Sequence, residues 1–452
     1  MAEPEYPETL VLRQVQLLFR HGERTPVHRS LQQWDKWGFP VFWPLCDSAR
    51  FSMAGVVNPR VGHVTSFPYE REIETETSAS PFSKLFTNAG ASGLCLEGQL
   101  TDKGRLSGFK LGEHLRALYI DKLAFLPREF TDQSDVYLRS TYVLRSLETM
   151  YELFAGLYPF TANTVVVPKI HERFTFEETL YPPHRCARLQ ELRVAFVAAA
   201  AEKWDPILAA HPTAALQHLL TSPNATISVR DEARDNAWAL LDTYASAHAH
   251  RVTTPPAFAD PKVSNILARA AIESEFAGYA RNPEMRTLGM GRFFAEVLTR
   301  MTIGDIVRSQ NDGEIDKMLS RTPGKVVYRK IPKLALYAAH DSSVGAILET
   351  LGAFDRKWIN FTSHITFEQF EERAAKKQQY VRVLHNGRPL ALPFCAPAEA
   401  HRGEDVEMCT MAAFTKFVQS VTPADHAAEC RANLGTPVPV EQLTGYGPVS
   451  GV

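Results

Sequence analysis

The sequence lacks any long apolar run: its longest fully apolar stretch, Val194 to Ala201, falls far short of the roughly 18 to 20 residues a membrane-spanning helix needs. It also lacks an excess of either charge. Lys plus Arg number 49 against 51 Asp plus Glu, with no long block of one sign, which argues against a nucleic-acid-binding surface. The cysteines Cys46, Cys95, Cys186, Cys395, Cys409 and Cys430 are scattered, with no C-x-x-C pair of the kind that marks zinc or a redox motif. The first residues, MAEPEYPETL, are acidic and proline-containing rather than basic and then apolar, so no secretory signal or mitochondrial presequence is read there. No internal repeat is found. A soluble protein is expected, intracellular by preference, with a secretory or organellar lumen as its place if the cysteines are paired.

What is present is ordinary globular material, 45% hydrophobic and 22% charged over 452 residues, enough for one large domain with an insertion or for two domains. Leu10 to Phe19 reads LVLRQVQLLF, a buried strand running into His21-Gly22. From Thr101, Leu106, Phe109, Leu111, Leu115 and Leu118 give a helical face. Val136 to Leu138 is a short strand leading into Arg139-Ser140-Thr141 and a helix that stops near Gly156. Residues 187 to about 310 are mostly helical and Ala-rich, which reads as an insertion or cap. Lys333 to Ala339 is a second buried strand, and His340-Asp341 forms the turn into a helix that Gly352 ends. The tail carries a hairpin turning at Asn386-Gly387, whereas residues 34–98 read as loops with short elements.

The heptapeptide Arg20-His21-Gly22-Glu23-Arg24-Thr25-Pro26 sets an imidazole between two guanidinium groups at a strand end. Guanidinium forks suit phosphate oxygens and remain charged at any working pH. A neutral imidazole between them can attack phosphorus and split hydrolysis into two steps. A phosphoryl group in transfer spreads charge over three oxygens, so further donors are needed. Arg139 is the best third guanidinium, with a surface ion pair as its other reading, and His340 is the best additional donor. Asp341 is placed to protonate the leaving oxygen; a helix N-cap is its other reading.

On these residues the chain resembles the histidine acid phosphatases, the second branch of the histidine phosphatase superfamily. The resemblance rests on the R-H-G-x-R-x-P motif at Arg20 to Pro26, the His340-Asp341 pair, Arg139 before Ser-Thr, and G-x-L-T-x-x-G at Gly98, Leu100, Thr101 and Gly104. It implies His21 as nucleophile, Arg20, Arg24, Arg139 and His340 as phosphate ligands, Asp341 as proton donor, and no cofactor or metal. The implied fold is α/β: a central mixed β-sheet flanked by helices, like that of phosphoglycerate mutase, formed by residues 8–186 and 325–452, with an α-helical cap at 187–324. Leu180-Tyr181-Pro182 and the stretch Leu351 to Trp358 are similar to the lysophosphatidic acid phosphatase group, so a lysophospholipid is the expected kind of phosphomonoester. The same resemblance implies that Cys395 pairs with Cys409 and Cys186 with Cys430.

Four other readings remain open. Glu23 gives the start RHGE shared with the mutase branch, which Arg24 and His340-Asp341 oppose. A phytase needs many cations around a polyphosphorylated ring, and only His28 and Arg29 stand near the motifs as extras. An inactive relative would bind a partner through the cap. A metal-dependent hydrolase of the HD type would leave the Arg-rich motif without a role.

Overall fold

Residues 5–27, 39–40, 42–58, 63–71, 73, 93–160, 166–210, 216, 227–230, 236–309, 331–374 and 377–447 are described in the computed structural model of the chain. His28, Arg29 and residues 310–324 of the expected cap lie outside them.

Strand β1, Leu10–Arg20, has no polar alternation in its second half because both of its faces are covered. Val15, Leu17 and Phe19 enter one hydrophobic cluster and Leu18 enters another on the opposite face. The other strands are β2 (Phe51–Asn58), β3 (His63–Glu70), β4 (Val136–Ser140), β5 (Ile170–His171), β6 (Leu334–Ala339), β7 (His364–Glu372), β8 (Gln379–His385), β9 (Arg388–Pro389), β10 (His401–Arg402) and β11 (Asp405–Thr410). The main sheet runs β10-β11-β8-β7-β1-β6-β4-β5, with β9 paired to β8 through the Asn386-Gly387 turn. It is mixed: β1, β6, β4 and β5 are parallel, and β7 is antiparallel to β1. Arg20 stands opposite Ala339, and Ser140 opposite Ala338. Three parallel strands therefore end together, where open α/β sheets place their ligands.

Helices α1 (Asp102–Leu115) and α2 (Leu144–Leu157) cover the face bearing Leu17 and Phe19. They approach so closely that a side chain on Gly112 would overlap the Leu153 carbonyl, and one on Gly156 the Phe109 carbonyl. Beyond the other face lie α3 (Ala187–Leu208), α4 (Ala237–His250), α5 (Pro261–Arg281), α6 (Pro283–Ser309), α7 (Asp341–Leu351) and α8 (Met411–Val421). Phe293 and Phe294 of α6 pack edge-on against Tyr337 and Phe367 of the sheet. Trp204, Leu240 and Leu267, from α3, α4 and α5, form an outer cluster with Phe39 and Trp43. Helix α5 serves both cores, giving Phe276 to the inner one and Leu267 to the outer one.

Two features go beyond the sequence reading. Within the region read as loops with short elements, Phe51–Asn58 and His63–Glu70 pair as a two-stranded ribbon of β2 and β3. Phe51 and Met53 are exposed on one of its faces and Phe67 and Tyr69 on the other, so no apolar-polar alternation marks it. The other is a Cys46–Cys95 bridge, which stands beside Cys186–Cys430 and Cys395–Cys409, the two pairs the resemblance implied. Among the described residues no helix is long and apolar enough to cross a membrane.

Candidate active site

The loop after β1 is held by two glycines back to back. A side chain on Gly22 would collide with the Gly104 carbonyl, and one on Gly104 with the Glu23 carbonyl. Thr101, the N-cap of α1, donates its backbone N–H to the Glu23 carbonyl (3.0 Å) and accepts the Gly104 N–H on its hydroxyl (3.2 Å). The two motifs read separately in the sequence are thus one packed unit, and it fixes His21.

His21 is buried, and its Nδ1–H donates to the Gly22 carbonyl at 2.9 Å. That bond leaves Nε2 as the unprotonated nitrogen. Burial, followed by the charges of Arg145, Arg24 and Arg20, holds the imidazole well below its usual pKa, so it stays neutral into acidic solution. His340 follows the last residue of β6, and its ring lies 5.7 Å from that of His21, with Thr141 Oγ1 3.0 Å from its Nε2. Burial first, then Arg145, pushes His340 down to about 3.

Asp341 is the first residue of α7; the N-cap is His340. Its Oδ1 accepts the Ser342 N–H at 2.8 Å, and its Oδ2 lies 2.7 Å from Arg20 Nη2. Burial pushes this carboxyl up, but Arg20 and Arg24 outweigh it and hold the pKa below the ordinary value. Arg20 also donates to the Ile359 carbonyl and lies over the Phe361 ring. His21, Arg24, His340 and Asp341 line one cleft of about 350 Å³. Arg20 stands behind Asp341 rather than in the cleft wall.

Arg139 is not brought into this cleft. It is level with Tyr337, three residues before His340, and so roughly 10 Å back from that histidine at about 3.3 Å per residue. Its side chain, fully buried, binds Glu178 (2.6 Å), Thr179 (2.6 Å) and Glu296 of α6 (2.6 Å). Glu178 in turn accepts the Thr179 and Leu180 backbone N–H groups, so Arg139 anchors the loop that carries Tyr181 into the cleft wall. The ion-pair reading describes its surroundings, with the pair in the core rather than at the surface.

The guanidinium that joins Arg24 in the cleft wall beside His21 and His340 is that of Arg145, in the first turn of α2. Burial and then Arg24 lower it to about 10, which leaves it charged. A sequence signal existed: a cation at a helix N-terminus opposes the macrodipole, yet that position after a strand is where phosphate binds.

These two arginines separate experimentally. Arg139→Met removes the arginine from the buried Glu178 carboxylate and leaves the part-exposed Glu296 to Arg173, and is expected to cost about 3–5 kcal/mol of stability, read by denaturant melts, while folded enzyme keeps its affinity for orthovanadate. Arg145→Ala is expected to fold normally and lose on the order of 100-fold in kcat/KM with p-nitrophenyl phosphate. The reverse pattern would return Arg139 to the phosphate site.

The family model for the histidine phosphatase superfamily (branch 2) matches residues 11–386, and the chain belongs to that family. A probable acid phosphatase of Schizosaccharomyces pombe is 30% identical, over 94% of this chain and 95% of that one. The lysophosphatidic acid phosphatase type 6 of Mus musculus is 26% identical, over 93% and 88%. In fold, the chain is similar to the Hafnia alvei phytase, with a TM-score of 0.56 at 14% identity over 94% of this chain and 99% of that one. The enzyme is by this kinship a histidine acid phosphatase, a hydrolase of phosphoric monoesters, and its α/β fold with a central mixed sheet is the one expected.

Proposed function

We propose that the protein hydrolyses a phosphomonoester whose leaving group has apolar character, in the manner of a lysophospholipid, by way of a phosphohistidine at His21. In the first step a bond forms between His21 Nε2 and phosphorus while the ester P–O bond breaks, and Asp341 gives its proton to the departing oxygen. In the second, water attacks the phosphohistidine, the P–N bond breaks, and Asp341 takes a proton from that water. Arg20, Arg24, Arg145 and His340 supply the positive and hydrogen-bonding surroundings for the equatorial oxygens.

The observation that carries the substrate reading is the wall of the cleft beyond the phosphoryl site. Val27, Leu189, Trp238, Phe276 and Met285 line it. Among the described lining residues Arg193 is the one arginine or lysine outside the phosphate cluster, and Glu275 matches it at 3.0 Å. A ring bearing many phosphates needs many unmatched cations, whereas an acyl chain needs apolar wall. Kinship with a lysophosphatidic acid phosphatase supports the same choice.

The test is a panel of lysophosphatidates of rising chain length beside inositol hexakisphosphate, compared by kcat/KM. Burial of a methylene contributes about 0.8 kcal/mol at best, so a rise of up to about fourfold per methylene is expected over short chains. A flat series, or a preference for the hexakisphosphate, would move the assignment to a generalist phosphatase or a phytase. The three bridges that close all six cysteines support an oxidising compartment, the lumenal alternative, as the place where the enzyme works.

A further inference from the structure

Three residues on one side of α4 face the unit that the catalytic loop forms with the start of α1. Trp238 lines the cleft, Asp242 meets Arg24, and His250 Nε2 lies 2.8 Å from the hydroxyl of Thr101. His250 is itself held by donation from Nδ1 to the Ser246 carbonyl at 2.7 Å. The contact at Asp242 is the most constrained of these. Oδ1 accepts from Arg24 Nη2 at 2.8 Å and Oδ2 from Nη1 at 3.1 Å, while Oδ2 also accepts the Val27 N–H at 3.1 Å. The two side chains are 2% and 1% exposed, so the pair is screened little by solvent.

A carboxylate that engages both terminal nitrogens of a guanidinium fixes its plane as well as its position. Arg24 Nη1 donates also to the Thr25 carbonyl at 3.0 Å, and Nε is buried with no protein acceptor. The fork is thus clamped at its outer end, and the Nε–H edge is the part left to a phosphoryl oxygen. Arg20, Arg24 and Arg145 bring three positive charges into one buried region, against Asp341 and Asp242. Without Asp242 the repulsion among the guanidinium groups would drive Arg24 away from its neighbours.

We propose that Asp242 is a positioning residue for phosphoryl transfer, a carboxylate on a helix outside the catalytic loop that sets the orientation of Arg24 towards the transferring group. This rests on the phosphatase reading above. Its effect falls on the transition state more than on ground-state binding, because an aligned donor gains most as charge develops on the equatorial oxygens.

Asp242→Asn and Asp242→Glu are compared with the wild type in the full chain by thermal melting, by p-nitrophenyl phosphate kinetics and by calorimetric binding of orthovanadate. Asn keeps the shape and loses the charge; Glu keeps the charge and displaces the fork. Both are expected to fold and to lose on the order of 10- to 100-fold in kcat, with smaller changes in KM. Vanadate affinity is expected to fall in parallel, and Asp242→Asn to add little in an Arg24→Lys background, since lysine offers no fork to align. Wild-type kcat and vanadate affinity in either folded variant would overturn the proposal, as would additive losses in the double variant. If the wild type cleaves no phosphomonoester, the proposed function fails by itself, and vanadate binding still ranks the variants.

Discussion

His21→Ala is expected to abolish the acid-labile phosphoenzyme and to lower kcat on the order of 10⁵-fold or more, the usual scale for loss of a covalent nucleophile. The geometry makes the expectation specific to one nitrogen. Nδ1–H is committed to the Gly22 carbonyl, so phosphorus is attacked by Nε2. The guanidinium groups around it and its burial keep the ring neutral, so nucleophilic nitrogen remains available below the ordinary imidazole value of 6.5. Rapid quenching into alkali during turnover, with 32P-labelled substrate, is the measurement, because phosphohistidine survives alkali and is lost in acid. Labelled protein from the alanine variant, in the amount given by the wild type, would move the nucleophile elsewhere. His340, whose ring lies 5.7 Å from that of His21 in the same cleft, is the first candidate to test.

Asp341→Asn is expected to slow cleavage of an alkyl phosphate about 100-fold or more, the usual contribution of a general acid. Asparagine keeps the shape and an oxygen for the Ser342 N–H, but has no proton to transfer. Nitrophenolate leaves with little protonation, so the burst of phosphoenzyme formation from p-nitrophenyl phosphate should be far less affected. Equal losses in that step would mean that Asp341 only holds Arg20 or the start of α7. The sign of the pH dependence follows from the same groups. In the empty site Arg20 and Arg24 favour the ionised carboxylate, which cannot act as an acid. A bound phosphate dianion offsets those charges and favours the protonated form. Activity on alkyl phosphates therefore falls as pH rises and Asp341 loses its proton. It persists as pH drops below 6.5, because His21 titrates well below that value. Asp341→Asn should remove the alkaline limb for alkyl phosphates and leave the acidic one.

The parts of the fold visible in the sequence are those whose signals are local. β1 and β6 are legible as apolar runs because they are covered on both faces, and α7 because Gly352 closes it in the left-handed conformation that its position after Leu351 implied. The Asn386-Gly387 turn adopts positive φ at both residues, as that dipeptide predicts. The β2–β3 ribbon escaped because neither of its faces is buried. The site divides along the same line. His21, Arg24, His340 and Asp341 follow directly on strand ends, and a linear motif finds them. Arg139 reads as a phosphate ligand because it precedes Ser-Thr at a strand end, but the register keeps it level with Tyr337, with acceptors from another loop and from α6. Arg145 lies only six residues further on, where the choice depends on which side of the strand end the helix begins. Asp242 is separated from Arg24 by 218 residues, and nothing local in an Ala-rich helix marks a carboxylate as the partner of a distant arginine. The Cys46–Cys95 bridge likewise needs the Pro44–Leu94 pairing that brings its two segments together.

The Cys186–Cys430 bridge ties the start of α3 to the segment after α8 across 244 residues of sequence. It turns more than half of the polypeptide into a covalent ring that contains α4 and its Asp242, the His340-Asp341 turn and the last strands of the sheet. A single peptide-bond cut anywhere on that ring opens it without dividing the molecule, so the fragments stay together and Asp242 remains tethered to the body that carries Arg24. In a compartment that holds proteases as well as oxidants, the enzyme can be nicked between those two cysteines and remain one particle.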